Sequence, residues 1–210
     1  ATHTIRLGCE LPPAPDPAPT LPLPPDGRPF VLYVSTIESR KNHELLVRVW
    51  RRLRQWQQIG QLQPPHRLVL VGMRGWGVDG LIAQIESDPA LREDILILSH
   101  LPDVQLDALY RHCAFTVYPS WMEGWGLPVV ESLARGRLCL ASNTTSLPEA
   151  GSGWAEHLDP GDEEAWARRL AHLMSHPQEL HAINARIAQG YTAPRWEDMA
   201  LAIHQLASAP

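Results

Sequence analysis

The sequence predicts an α/β domain built on a Rossmann-like, doubly wound parallel sheet of about six strands. Short apolar runs rich in β-branched residues alternate along the chain with longer segments of helical periodicity. The runs are apolar throughout, which is typical of strands covered by helices on both faces. Polar or glycine-rich loops follow the first five runs, and ligands of such folds bind at the carboxyl ends of the strands. The 210 residues suffice for one domain of this kind.

The predicted elements follow one another in order from residue 30. The apolar runs predict strands at residues 30–34, 68–71, 95–98, 115–118, 138–141 and 156–158. Between and after them, the spacing of apolar residues predicts one helix that begins after Asn42 and a second that ends near Ile85. Five further helices are predicted at 104–112, 127 to about 135, 162–175, 177–189 and 196–207.

Residues 1–29 differ in character from the rest of the chain. Residues 4–7 read as a short strand, and residues 11–29 contain nine of the twenty prolines. Proline at this density is typical of an extended linker. The sequence therefore predicts a strand and a proline-rich linker at 1–29, followed by a folded domain at 30–210.

Composition excludes several classes of function. The formal net charge is −5, from 18 basic and 23 acidic residues, which argues against non-specific binding to nucleic acid. The three cysteines and ten histidines lack the spacing of metal ligands, so we expect no metal site. An odd cysteine count without disulfide-like spacing favours a reducing, cytoplasmic setting. Among the 18 basic residues Lys41 is the only lysine, which singles it out as a candidate functional residue.

The most informative segment is residues 123–131, which read Glu-Gly-Trp-Gly-Leu-Pro-Val-Val-Glu. Its glycines let the backbone approach a ligand, and Pro128 suits the first turn of a helix. The start of a helix offers free N–H groups and the positive end of a dipole, both of which suit a phosphate. Glu123 and Glu131 can accept hydrogen bonds from hydroxyl groups. The segment therefore predicts a site for a nucleotide sugar.

Loops after other strands supply further candidate residues. Arg40 and Lys41 precede a helix, where two cations and free N–H groups would converge on a diphosphate. Gly72 opens a glycine-rich loop that is not GxGxxG, which speaks against a dinucleotide site. His100 and Leu101 follow the third strand and could offer backbone groups to the edge of a base.

These motifs resemble the C-terminal, donor-binding half of a retaining glycosyltransferase of the GT-B fold, family 4 type, and of its mannosyltransferases in particular. Glu123 and Glu131 match the two glutamates, separated by seven residues, that mark the donor site of that family. The Arg-Lys-Asn turn at 40–42 resembles its diphosphate clamp, and residues 5–8 resemble its interdomain crossover strand. The likeness extends over essentially the whole chain. It departs from the family at Ser35, where relatives often have glycine.

The resemblance implies a role for each matching residue. Arg40 and Lys41 would bind the diphosphate and stabilise the leaving nucleotide, Glu123 would contact the donor sugar, and Glu131 would accept hydrogen bonds from the ribose. The catalytic set would be Arg40, Lys41 and Glu123, and the donor-binding set Arg40, Lys41, Gly72, His100, Leu101, Gly124, Trp125, Gly126, Leu127 and Glu131.

The implied reaction is transfer of a sugar, with retention, from a nucleotide-diphosphate sugar to a glycan or lipid-linked acceptor. GDP-mannose is the preferred donor, and no metal or other cofactor is expected. The resemblance implies that the acceptor half of the enzyme is absent from this chain, so we expect weak donor binding and little transfer by the chain alone. It is also compatible with a full-length cytoplasmic protein that associates peripherally with the inner face of the membrane.

Three alternatives stay open at this point. Glu123 and Glu131 could be the acid–base pair of a hydrolase, although the predicted helix around Glu131 does not suggest the facing geometry of a glycosidase. The chain could be a non-catalytic module that binds nucleotide sugars or serves as a scaffold. It could also be a related sugar-nucleotide 2-epimerase, for which we locate no additional acid–base residues.

Overall fold

The computed structural model describes residues 5–9, 19–63 and 65–208. Within these ranges the strands are β1 (Phe30–Val34), β2 (Arg67–Val71), β3 (Ile95–Leu98), β4 (Phe115–Tyr118), β5 (Cys139–Ser142) and β6 (Glu156–Leu158). The helices there are α1 (His43–Gln58), α2 (Asp79–Ser87), α3 (Pro89–Asp94), α4 (Asp103–His112), α5 (Leu127–Ala134), α6 (Leu147–Gly151), α7 (Glu163–Ser175), α8 (Pro177–Gly190) and α9 (Trp196–Ala207).

All the strands belong to one parallel sheet in the order β3-β2-β1-β4-β5-β6. This confirms the predicted doubly wound α/β class. The sheet grows outward from β1 in both directions, because the chain adds β2 and β3 on one side and then returns to place β4 on the other. The loops after β1 and β4 therefore diverge above neighbouring strands, and the gap between them is where open α/β sheets bind ligands.

Alternate residues of β1 and β2 enter two different apolar clusters. Val31 and Tyr33 of β1 face the larger cluster, together with Trp50 of α1 and Trp166 of α7. Leu32 of β1 faces the other way, into a cluster with β2 and α4. These side chains are fully buried, as expected of a parallel sheet with helices on both faces. Their burial is the main apolar contribution to stability, and it holds the carboxyl ends of the strands in fixed register.

The N-terminal prediction is only partly testable, and of its two parts the strand is not formed at the residues that are described. Thr4 and residues 10–18 lie outside the described residues. Residues 5–9 are described and have no regular secondary structure, so the predicted strand is not formed there. The Cys9 N–H instead donates a hydrogen bond to the carbonyl of Pro194, at 2.9 Å. Local β propensity at 5–7 has no neighbouring strand to pair with in the described part of the chain.

Two short helices were not predicted from the sequence. α3 has six residues and α6 five, too few for apolar periodicity to be recognised. A capping pattern was nevertheless present for α3, because Asp88 accepts hydrogen bonds from the N–H groups of Ala90 and Leu91 and Pro89 occupies the first turn.

No helix within the described ranges has both the length and the apolar character needed to cross a bilayer.

Asn42 ties the loop after β1 to the rest of the sheet edge. Its backbone is left-handed, with φ of 57°, and its side chain is buried. The side-chain amide donates hydrogen bonds to the carbonyls of Pro119 and Pro160, at 3.1 and 3.0 Å. Asparagine is one of the few residues that tolerates this backbone conformation and can also make such bonds. This one side chain thus joins the loops after β1, β4 and β6.

We predict that Asn42→Ala lowers the free energy of unfolding by about 3 kcal/mol, because two buried carbonyls lose a donor and alanine strains the left-handed backbone. Asn42→Gly is the matched control, since it removes the same bonds without the strain and should cost less than alanine. Urea unfolding followed by circular dichroism measures both. An Asn42→Ala protein as stable as the wild type would contradict the role given to this residue.

Candidate functional site

A cleft of about 460 Å³ opens at the carboxyl edge of the sheet, between the loops after β1 and β4. Its lining includes Ser35, Lys41, Tyr118, Glu123, Trp125 and Glu131. The sequence thus predicted four of these six residues as members of one site, and the structure brings those four together. The cleft lies at the β1–β4 switch point, where the topology places a ligand.

Lys41 is held rigidly at one side of the cleft. The Tyr33 hydroxyl donates a hydrogen bond to the Lys41 carbonyl at 2.6 Å, and the next residue is the left-handed Asn42. The Lys41 side chain is only 8% exposed, and its Nζ lies 2.6 Å from Glu123 Oε1 and donates to the Tyr118 hydroxyl at 3.1 Å. A buried ammonium needs such partners, because an unpaired charge at this burial is strongly disfavoured.

Arg40 reaches the same carboxylate from the solvent side. Its Nη1 donates to Glu123 Oε2 at 3.2 Å and to the Met122 carbonyl at 3.1 Å. Its Nε lies 2.6 Å from Glu38 Oε1. Arg40 is 41% exposed, so it forms the outer half of a two-cation cluster whose inner half is Lys41.

Glu123 is therefore the common partner of both cations. Burial acts to raise the pKa of its carboxyl, but hydrogen bonds from Lys41 and Ser120 and the charge of Arg40 outweigh burial and hold the pKa below its ordinary value. The carboxylate is accordingly ionised at neutral pH. Its backbone is also anchored, since the Glu123 N–H donates to the Thr145 hydroxyl and the Ser146 hydroxyl donates to the Glu123 carbonyl, at 3.1 and 3.0 Å.

The floor of the cleft is the first turn of α5. Gly126 precedes this helix with φ of 117°, a conformation that favours glycine, and a Cβ there would stand 2.7 Å from Leu147 Cδ2. Leu127 and Pro128 form the first turn and line the cleft, as the sequence predicted for the helix start. Pro128 has no N–H, and the Val129 N–H donates to the Gly126 carbonyl at 3.0 Å, so this turn offers an anion the Leu127 N–H and the positive end of the helix dipole.

Glu131 lies one turn further along α5 and faces the same cleft. The buried Tyr110 hydroxyl donates to its Oε2 at 2.8 Å. Burial raises the pKa of Glu131, while the bond from Tyr110 and the charge of Arg135 act in the opposite direction. One carboxylate oxygen is thus held by the protein, and hydroxyl groups of a ligand can approach the other.

The remaining predicted residues do not line this cleft. Gly72 and His100 line a second cavity, of about 610 Å³, over β2 and β3. Gly72 has a packing reason to be glycine, because a Cβ there would stand 1.9 Å from the Ser35 carbonyl oxygen. Leu101 packs on the apolar cluster formed with β2 and α4, and Gly124 is exposed in the loop before α5.

Sequence reasoning missed the tyrosines that hold the charged groups. Tyr118 and Tyr110 are almost completely buried and present only their hydroxyls to Lys41 and Glu131. One usable signal was present for Tyr118, because it ends a strand at the edge where ligands bind. Tyr110 gave no such signal, since its position in α4 is that of an ordinary core residue.

A serine–histidine pair also borders the cleft and was not predicted. Ser35 Oγ lies 3.2 Å from His43 Nε2, and the His43 ring stacks on Tyr33 with 4.6 Å between ring centroids. Burial lowers the pKa of His43 to about 4, and the nearby Lys41 charge acts in the same direction. His43 is therefore neutral at pH 7.

The described residues contain no group of three or more histidine, cysteine or acidic side chains arranged to hold a metal ion.

Comparison with known proteins agrees with this geometry. Residues 22–189 match the family model described as glycosyl transferases group 1. The chain belongs to this family. The O-antigen chain mannosyltransferase B of Escherichia coli, a curated relative of this glycosyltransferase domain, is 33% identical over 174 residues, which are 82% of this chain and 39% of that protein. The serotype-specific mannosyltransferase WbdA of Escherichia coli is 34% identical over 128 residues, which are 60% of this chain and 15% of that protein.

Solved structures show the same fold as this glycosyltransferase domain. TarM of S. aureus, in complex with fondaparinux, α-GlcNAc-glycerol and UDP, matches with a TM-score of 0.74 at 14% identity, over 99% of this chain and 39% of that one. HepE of Anabaena in complex with UDP matches with a TM-score of 0.68 at 18% identity, over 86% of this chain and 49% of that one. The chain thus spans less than half the length of these relatives, and it has the architecture of a GT-B glycosyltransferase domain.

We predict that His43 makes this glycosyltransferase domain sensitive to mild acid. Because its pKa is about 4 when folded and about 6.5 when unfolded, the unfolded chain binds the proton more readily. The stability contribution of the neutral ring is complete above pH 6.5 and is lost as the pH falls towards 4, by roughly 3 kcal/mol in total.

Urea unfolding at intervals between pH 7 and pH 4 measures this loss. His43→Gln should reduce the pH dependence but not abolish it, because burial also lowers the pKa of His66 to about 4; the exposed His181→Gln is the matched control. Equal slopes for the wild type and His43→Gln would show that His43 is not the group responsible.

Proposed function

We propose that this domain binds a nucleotide-diphosphate sugar, with GDP-mannose as the preferred donor, and supplies the donor half of a retaining glycosyltransferase. The observation that carries the proposal is the convergence of Lys41, Glu123 and Glu131 on one cleft above the first turn of α5. Cations, a helix N-terminus and two carboxylates are the groups that a diphosphate flanked by two sugars would require.

The diphosphate is assigned to Lys41, Arg40 and the start of α5. Lys41 borders the cleft directly, and Arg40 stands beside it through their shared partner Glu123. When the bond between the sugar and the β-phosphate breaks, negative charge develops on the departing nucleotide. Fixed positive groups at that position lower the barrier because they need no rearrangement during the reaction. We propose that this charge replaces a metal ion, so that addition of EDTA leaves donor binding unchanged.

The two sugars of the donor are assigned to the two glutamates. Glu131 is fixed by Tyr110 on a helix and is assigned to the ribose hydroxyls. Glu123 is ionised and lies next to the cations, and is assigned to the hydroxyls of the transferred sugar. The base is assigned to the backbone of the loops after β2 and β3, which contain Gly72, His100 and Leu101.

The choice of mannose rests on the curated relatives at 33–34% identity, which are named as mannosyltransferases. The structural neighbours hold UDP at 14–18% identity, a likeness that concerns the fold alone. We propose that the domain works together with an acceptor-binding domain, on a glycan or lipid-linked acceptor, in the cytoplasm at the inner face of the membrane. A second, acceptor-binding domain would account for the length of the relatives, which is more than twice that of the matched region.

Hydrolysis is disfavoured by the state of the two glutamates. A glycosidase needs one carboxylic acid that donates a proton and one free carboxylate. Glu123 is ionised and engaged by two cations, and Glu131 already accepts a hydrogen bond from Tyr110. Because Glu123 is engaged by both cations, the pair lacks the free carboxylate that this chemistry needs.

Calorimetric titration of the 210-residue chain with GDP-mannose, GDP, UDP and UDP-glucose tests the proposal. We expect binding of the guanine nucleotides, tighter than that of the uracil nucleotides and unaffected by EDTA. Binding of none of the four would overturn the proposal and favour a scaffolding module. Retention is tested separately, by the anomeric configuration of the product that the complete transferase forms, read from its NMR coupling constants.

We predict that Lys41→Ala weakens GDP binding by about 1.5–3 kcal/mol, because a charged hydrogen bond to the diphosphate is lost. Arg48→Gln is a suitable control, since it removes one exposed positive charge from α1, away from the cleft. Calorimetry on both variants gives the comparison. A dissociation constant for Lys41→Ala equal to that of the wild type would remove Lys41 from the site.

We predict that Glu131→Ala weakens binding of GDP by a similar amount, about 1.5–3 kcal/mol, because the ribose hydroxyls lose a charged acceptor. The wild type should likewise bind the deoxyribose analogue of GDP more weakly than GDP itself. In Glu131→Ala this preference should disappear. If the native protein bound both nucleotides equally, the ribose role of Glu131 would be wrong.

A further inference from the structure

Glu123 forms ion pairs with the two cations, Lys41 and Arg40, that the proposed function assigns to the diphosphate. One of its oxygens lies 2.6 Å from Lys41 Nζ and the other 3.2 Å from Arg40 Nη1. The Lys41 and Glu123 side chains are each only 8% exposed, so their contact is largely shielded from solvent, whereas Arg40 is 41% exposed. Without a ligand, the positive charge of the cleft is therefore neutralised from within the protein.

A diphosphate brings a second set of negative charges to the same two cations. The carboxylate and the phosphate oxygens would repel each other if all remained in contact with Lys41, and poor screening at this burial makes that repulsion stronger. Binding of a diphosphate is thus an exchange of one anion for another, and its affinity is reduced by the cost of displacing the first.

Tyr118 gives Lys41 a second partner that does not compete in this way. Its hydroxyl accepts from Nζ at 3.1 Å, and the side chain is 3% exposed at the end of β4. Burial raises the pKa of Tyr118, so the hydroxyl stays neutral. It can hold the ammonium in place after the carboxylate has moved away, without repelling a phosphate.

We propose that Glu123 is an internal competitor of the donor diphosphate, displaced from Lys41 when the donor binds, and that Tyr118 is the positioning residue that keeps Lys41 in place during the exchange. The inference rests on the proposed function of the cleft. It adds a basis for distinguishing substrate from product. A nucleotide sugar offers hydroxyls to the displaced carboxylate, whereas the free nucleoside diphosphate offers none, so Glu123 returns to Lys41 and favours release of the product.

The two partners of Lys41 should then have opposite effects on GDP affinity. Glu123→Gln removes the competing charge and should tighten GDP binding about tenfold, which corresponds to about 1.4 kcal/mol. Tyr118→Phe removes the neutral anchor and should weaken GDP binding about threefold to tenfold. Glu123→Gln should also bring the affinities for GDP-mannose and GDP closer together, because the sugar loses a charged acceptor.

Matched variants separate these effects from general changes in charge or packing. Glu44→Gln removes one negative charge from an exposed side chain in the first turn of α1, and should leave GDP affinity unchanged. Glu123→Asp retains the charge and should not tighten binding. Tyr110→Phe also removes one tyrosine hydroxyl, but this hydroxyl contacts Glu131 and not Lys41. Its effect on affinity should disappear with the deoxyribose analogue of GDP. Circular dichroism establishes that each variant is folded.

The wild type offers an independent measurement, because Lys41 is the only lysine. Lysine labelled with ¹⁵N at Nζ and with ¹³C at Cε gives one side-chain signal from the folded protein, and GDP should shift it as phosphate replaces carboxylate. In Glu123→Gln the free protein should already show a displaced signal. This readout keeps the proposal testable even if a variant fails to fold.

Tighter GDP binding by Glu123→Gln together with weaker binding by Tyr118→Phe supports the exchange. Weaker or unchanged binding by Glu123→Gln, or a Lys41 signal that does not move at saturating GDP, overturns the exchange and leaves the donor-site assignment standing. If the wild type binds none of the nucleotides, the proposed function fails and the exchange fails with it.

Discussion

The site depends on one buried positive charge. The Lys41 ammonium is nearly inaccessible to water and is stable there only because Glu123 and Tyr118 satisfy it. The neighbouring structure holds this lysine where a ligand can reach it: Tyr33 fixes its carbonyl, and Asn42 joins its loop to two others. In the function that we propose, a cation fixed in this way would bind the diphosphate without rearrangement of its backbone and would stabilise the leaving nucleotide.

The sheet topology makes this arrangement possible. Lys41 and Glu123 are 82 residues apart in the chain, and they meet because β1 and β4 are neighbours in the sheet. The same adjacency places the first turn of α5 beside them, so that a helix dipole and two cations act on one volume. Under the proposed exchange, a diphosphate would replace the interactions that stabilise the unliganded cleft, which would link the stability of the site to the affinity of its ligand.

The sequence was sufficient to predict the fold class and the main charged residues. Apolar runs placed the strands within one or two residues, because burial on both faces leaves few polar residues inside them. Lys41 and Glu123 were identified by spacing and by the rarity of lysine. The ion pair between them could not be predicted, since side-chain contacts across 82 residues depend on packing. Tyr110 was missed because a tyrosine in a helix looks like ordinary core.

The central claim is that the donor diphosphate binds Lys41 at the start of α5 in place of Glu123. The most direct test is a crystal structure of this chain with GDP-mannose bound. We expect phosphate oxygens within hydrogen-bond distance of Lys41 Nζ and of the Leu127 N–H at the start of α5, with the Glu123 carboxylate moved onto the sugar hydroxyls. A diphosphate bound elsewhere, with the Lys41–Glu123 ion pair intact, would contradict the account.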